Sequence, residues 1–98
     1  MAAIEAVFKY PFSIEDEPFE IQLPQGAKIV AVFVQDTRPC LWAQVDPKAE
    51  KEPVRFLVCG TGHPIGKPVE GADHWEHIAT FPMAGGKLIW HLFMERQS

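Results

Sequence analysis

The chain predicts an all-β fold: an antiparallel β-sandwich or partly open barrel of about seven short strands. Three observations predict it. Short runs alternate apolar and polar residues with a period of two, the pattern of a half-buried strand. Gly 7 and Pro 9 cut those runs into pieces. No window sustains a 3.6-residue period, so no long amphipathic helix is expected.

The elements follow in order. Ile4 to Tyr10 places Ile4, Ala6, Phe8 and Tyr10 on one face and Glu5 and Lys9 on the other. Pro11 and the acidic Glu15-Asp16-Glu17-Pro18 read as a solvated connection. Phe19 to Leu23 alternates again, and Pro24-Gln25-Gly26 closes it with turn residues, Gly26 suiting the exit of a type I turn. Lys28 to Gln35 is almost continuously apolar, which predicts a central strand buried on both faces. Asp36-Thr37-Arg38-Pro39 has hairpin length. Cys40 to Val45 and Val54 to Cys59 are the fourth and fifth strands, separated by the charged loop Asp46 to Pro53. The sixth strand is expected near His77 to Phe81 and the last over Leu88 to Met94, joined by Met83-Ala84-Gly85-Gly86. Asp73 to Ala79 has the capping residues for at most one short helical turn. Short connections make a meander of hairpins the simplest topology.

At 98 residues the chain is read as one β domain spanning 1–98. Hydrophobic residues make up 47%, enough for a packed core. Nine basic residues face 13 acidic ones, a net charge of -4, which opposes a broad nucleic-acid surface. The first residues lack a basic, apolar leader pattern, and the longest uncharged apolar run, Ile29 to Val34, is too short to span a bilayer. A cytoplasmic protein with no membrane partner is expected. Cys40 and Cys59 sit in apolar runs and read as buried thiols.

Three constellations carry candidate chemistry. Gly60-Thr61-Gly62-His63-Pro64-Ile65-Gly66 follows a strand, and its glycines free backbone N–H groups to converge on an anion. Gly60, Thr61, Gly62 and His63, with His91, are therefore the candidate ligand-binding residues. The loop lacks the third glycine of a dinucleotide fingerprint and the Lys-Ser/Thr of a P-loop. A bulge or sharp exit from the sheet explains its glycines equally well. Cys59, His63, His74 and His77 offer four zinc-compatible ligands, although His74 and His77 share a face only on a helical turn. Arg38, Trp42 and Arg55 form the candidate partner surface of cations and an aromatic ring. No Ser or Cys lies in a nucleophile motif, so no catalytic residue and no enzyme activity is expected.

Four stretches, Glu20 to Ile29, Pro39 to Asp46, Val58 to Ile65 and Trp90 to Phe93, resemble in this order a family of small uncharacterised proteins. These proteins are encoded by bacteriophages and by bacterial genomes as prophage cargo. The resemblance spans Phe8 to Glu95, and Gly60-Thr61-Gly62-His63-Pro64 is its most distinctive part. It implies a protein of the bacterial host cytoplasm that works by binding, and no reaction. It also implies that His63 and His91 recur more often than His74 and His77, which counts against the four-ligand zinc site. The leading expectation is a non-enzymatic protein-binding module, self-associated as a homodimer, without a cofactor. The alternatives are a binder of a small anionic ligand or nucleotide at Gly60 to Gly66, and a small zinc protein.

Overall fold

The computed structural model describes residues 5–65 and 74–96. Ile4, Gly66 and Asp73 lie outside the described residues. The described chain is all-β: β1 (Ala6–Pro11), β2 (Phe19–Pro24), β3 (Lys28–Gln35), β4 (Arg38–Val45), β5 (Lys51–Gly60), β6 (His74–Met83) and β7 (Leu88–Arg96). They form two antiparallel sheets, a three-stranded one of order β1-β4-β3 and a four-stranded one of order β2-β5-β7-β6.

The meander expectation is corrected. Only β3–β4 and β6–β7 are hairpins; the β2–β3 and β4–β5 connections pass from one sheet to the other. A short turn can pair two strands or bridge two sheets, and its length does not distinguish them. At the β2–β3 crossing Ala27 N–H donates to Pro24 O at 3.1 Å. Gly26 has φ +82°, so it occupies the third position of a type II turn and not the exit of a type I turn. At the β4–β5 crossing Asp46 accepts from Lys48 N–H through Oδ1 at 3.0 Å and from Ala49 N–H through its carbonyl at 3.0 Å.

The expected helical turn is also absent: His74 already begins β6, so from that residue onward the segment is extended. A shift of register between His77 and Ala79 marks a bulge in this strand. Asp36 and Thr37 form the two-residue β3–β4 turn, with φ 52° and 67°. Asp tolerates the left-handed region; β-branched Thr does not. Thr37→Gly is therefore expected to stabilise the domain by about 0.5–1 kcal/mol, the left-handed penalty less the entropy cost of glycine. Chemical denaturation measures the difference.

The core lies between the sheets. Leu41, Ala43 and Val45 of β4 face Phe56 and Val58 of β5, Phe81 of β6 and Leu92 of β7. Phe12, in the β1–β2 connection, is buried among them, with its N–H donating to Pro39 O at 3.0 Å. Its ring meets Phe81 edge-on at 6.0 Å and stacks with Phe19 at 5.7 Å, and Phe19 stacks with Phe56 at 6.0 Å. The connection read as solvated thus carries a core anchor.

Strand β3 corrects another expectation. Its inward residues Ile29, Val32 and Val34 pack on the core, but nothing among the described residues covers its other face: Val30 is 48% and Phe33 47% exposed. A continuous apolar run reads the same for a strand buried twice and for one with an apolar open face. The two cysteines are free and buried. Cys40 pairs with Phe33 on the outer side of one sheet and Cys59 with His91 on the outer side of the other, so the two thiols are far from partners.

Candidate functional site

Strand register sorts the predicted residues, because antiparallel partners share a face. Phe56, Val58 and Leu92 point into the core, so Arg55, Cys59, His91 and Phe93 point outward from the four-stranded sheet. Thr80 is paired with His91 and His77 with Phe93, which puts both on that outer face. Residues three apart in a regular strand face opposite ways; the bulge between His77 and Ala79 rephases β6 and brings His77 and Thr80 together.

The result is a line of side chains that runs from the turn after β5 across β7 to β6. Thr61 Oγ1 and His91 Nε2 are 2.8 Å apart, His91 Nδ1 and Thr80 Oγ1 2.9 Å, and Thr80 Oγ1 and His77 Nε2 2.9 Å. Thr61 Oγ1 also lies 3.5 Å from Ile89 O, which can only accept. With that contact as a donor bond, one self-consistent chain follows: Thr61 O–H donates to Ile89 O, His91 Nε2–H donates to Thr61, Thr80 O–H donates to His91 Nδ1, and His77 Nε2–H donates to Thr80. Each hydroxyl then gives one bond and receives one. The Phe93 ring meets His77 edge-on at 5.5 Å.

Thr61 and His91 of the predicted ligand set are therefore joined. His63 is not with them. A Cβ on Gly60 would lie 2.9 Å from His63 Nδ1 and 3.3 Å from the Trp90 ring, so glycine is needed for this close approach. Trp90 is the neighbour of His91 on β7 and faces the other way, so His63 and His91 do not share a site. A cleft of about 320 Å³ lies beside His63, lined by Asp16, Pro18, Leu57, Cys59, Gly60 and Trp90.

The proposed zinc quartet is not assembled. His74 pairs with Arg96 and His77 with Phe93 in unbroken register, so they sit on opposite faces of β6. Cys59 Sγ lies 3.9 Å from Pro64 O. Among the described residues no three His, Cys, Asp or Glu side chains gather to hold a metal. Burial pushes the Cys59 thiol pKa up. The folded chain then keeps this proton at a pH where the unfolded chain releases it. The stability from Cys59 is present below the unfolded thiol pKa and wanes as pH rises through the folded one. In the native protein at mildly alkaline pH, iodoacetamide is expected to modify Cys59 at least ~10-fold more slowly than in denaturant, read by mass spectrometry.

The predicted partner surface divides in two. Arg55 lies on the outer face of the four-stranded sheet, bonded to Glu20 at 2.9 Å and Glu95 at 3.2 Å, a cross-strand clamp. Arg38 and Trp42 lie on the outer face of the other sheet, since Leu41 and Ala43 between and beside them are core. There Trp42 stacks on Phe33 with centroids 4.1 Å apart. Val7 is 56% exposed on the same face, opposite Gln44, and Val30 stands out at the β3 bulge. Lys9 reaches across β4 to bond Gln35 Oε1 at 2.9 Å, and Gln44 donates to Glu5 at 2.7 Å. Lys28 and Arg38 complete the border. The sequence missed Val30 and Phe33 here because the apolar run of β3 was read as buried on both faces, and Val7 because a single apolar residue between Glu5 and Lys9 carries no signal of its own.

Another cleft, about 790 Å³, opens at the end of the sandwich near Leu23, Ile29, Arg55, Glu76, Met94 and Arg96. Its arginines are engaged, Arg96 with Glu76 at 3.1 Å and Arg55 as above. No helix among the described residues is long and apolar enough to cross a membrane.

Fold and site define a two-sheet, all-β domain with an open aromatic sheet face. The chain belongs to a family described as a domain of unknown function, DUF7352, which matches residues 4–98. No curated protein and no solved structure matches it.

Proposed function

We propose that this chain is a protein-binding module, without catalysis, whose contact surface is the outer face of the β1-β4-β3 sheet. The observation that carries the reading is the exposed Phe33–Trp42 stack, flanked by Val7 and Val30 and bordered by Lys9, Lys28 and Arg38. Aromatic anchors within a charged rim are the residue types that dominate binding energy at protein interfaces. The three cations of the border outnumber Glu5, the carboxylate that Gln44 holds on this face, in a chain of net charge -4, and favour a partner that presents apolar surface ringed by carboxylates. A second copy laid on the same face by two-fold symmetry would set cation against cation. Self-association would instead use the open edge of β1 (Ala6–Pro11). The resemblance to phage and prophage proteins supports a bacterial cytoplasm as the setting.

The test compares capture from bacterial lysate by the parent chain, Phe33→Lys, Arg38→Glu and Arg55→Gln. The reading predicts one protein retained by the parent and by Arg55→Gln, released by raised salt, and lost with Phe33→Lys and Arg38→Glu. Equal retention by Phe33→Lys, or capture of a second copy alone, overturns it.

A further inference from the structure

We propose that the outer face of the β2-β5-β7-β6 sheet carries a binding site for a divalent cation of borderline softness, such as Zn²⁺, held by His77 Nε2 and His91 Nδ1. The inference is independent of the protein-binding reading, since it concerns the opposite side of the sandwich.

The geometry points there because two imidazole nitrogens from adjacent strands converge on one point. Each is 2.9 Å from Thr80 Oγ1. A zinc–imidazole bond is about 2.0–2.1 Å long, so a cation near that oxygen position requires each ring to advance by only about 0.8 Å while the hydroxyl turns aside. This convergence follows from the β6 bulge; without it His77 and Thr80 would face opposite ways.

Two further features suit a ligand pair. His91 Nε2 lies 2.8 Å from Thr61 Oγ1, so a His91 that ligates through Nδ1 donates its Nε2–H to this hydroxyl, an outer-shell bond that holds the ligating tautomer. The Phe93 ring restricts the His77 imidazole from one side. His77 must carry its proton on Nδ1 to ligate through Nε2, an exchange that costs little in an exposed neutral imidazole. Water completes the coordination, as the site is open. Imidazole donors favour Zn²⁺, Cu²⁺ and Ni²⁺ over Mg²⁺ and Ca²⁺, which take oxygen.

The experiment titrates the full chain with Zn²⁺ alone at neutral pH by calorimetry, with circular dichroism to verify folding. One Zn²⁺ per chain is expected. His77→Gln and His91→Gln should each weaken binding at least ~10-fold, and Thr61→Val, which removes the outer-shell partner, about 10-fold or more. His63→Gln and His74→Gln, outside the cluster, should leave the affinity within about twofold. Should His91→Gln lose its fold, His77→Gln, on an exposed position, carries the test alone. Absence of Zn²⁺ binding by the parent chain, or binding unchanged in His77→Gln, overturns the proposal. Loss in His63→Gln but not in His77→Gln also overturns it, placing the cation at the Gly60 turn.

Discussion

Phe56→Ala is expected to destabilise the domain by about 3–5 kcal/mol, the range for deleting a fully buried aromatic ring. Phe56 has no exposed surface, sits on β5 between the β2 and β7 partners, and stacks on Phe19. Phe19 in turn holds Phe12, which meets Phe81. One truncation therefore opens a cavity against Phe19, the first ring of this chain of aromatic contacts. The loss is a large share of the about 5–15 kcal/mol that keeps such domains folded. A urea titration measures it as a lower midpoint. A change below about 1 kcal/mol would mean that Phe56 does not occupy the centre of the core.

The second large effect concerns binding. Phe33→Ala is expected to weaken partner binding by about 30-fold or more, the scale of an aromatic anchor at about 2 kcal/mol. It should change unfolding stability by no more than about 1 kcal/mol, because the ring is 47% exposed and its main neighbour is Trp42. Trp42→Ala should show the same loss of binding with a larger cost in stability, because Trp42 is only half-exposed. The split between binding and stability separates a contact surface from a packing cluster.

Much of the architecture was legible in the residues. Period-two alternation marked β1 and β2, and apolar, β-rich runs between Pro/Gly turns marked the other strands, with β2 and β3 starting at the residues expected. The division into two sheets was not legible. Nothing in Pro24-Gln25-Gly26 says whether the next strand pairs in plane or folds across. Phe12 was missed because its neighbours are a proline and a run of carboxylates, which describe the solvent side of a connection that also inserts a ring into the core. The helical turn near Asp73 to Ala79 gave way to strand from His74 because pairing with β7 satisfies the backbone along its whole length.

The candidate site was legible in part. Thr61 and His91 were both named and lie 2.8 Å apart, yet their link to Thr80 and His77 rests on the β6 bulge. A single-residue insertion into a ladder leaves no distinct composition, so the face swap it causes was invisible. Arg38 and Trp42 share a face as alternation implies, whereas Arg55 went to the other sheet, a consequence of topology alone.

The measurement that tests the central claim most directly is site-specific photo-cross-linking in bacterial cells that express the chain. A photoreactive phenylalanine analogue at position 33 keeps the aromatic ring and samples the proposed contact face; one at position 20 samples the outer face of the other sheet. The account predicts a discrete cross-linked protein from position 33, diminished by Arg38→Glu, and none from position 20. Cross-links from position 20 with none from position 33 would contradict it.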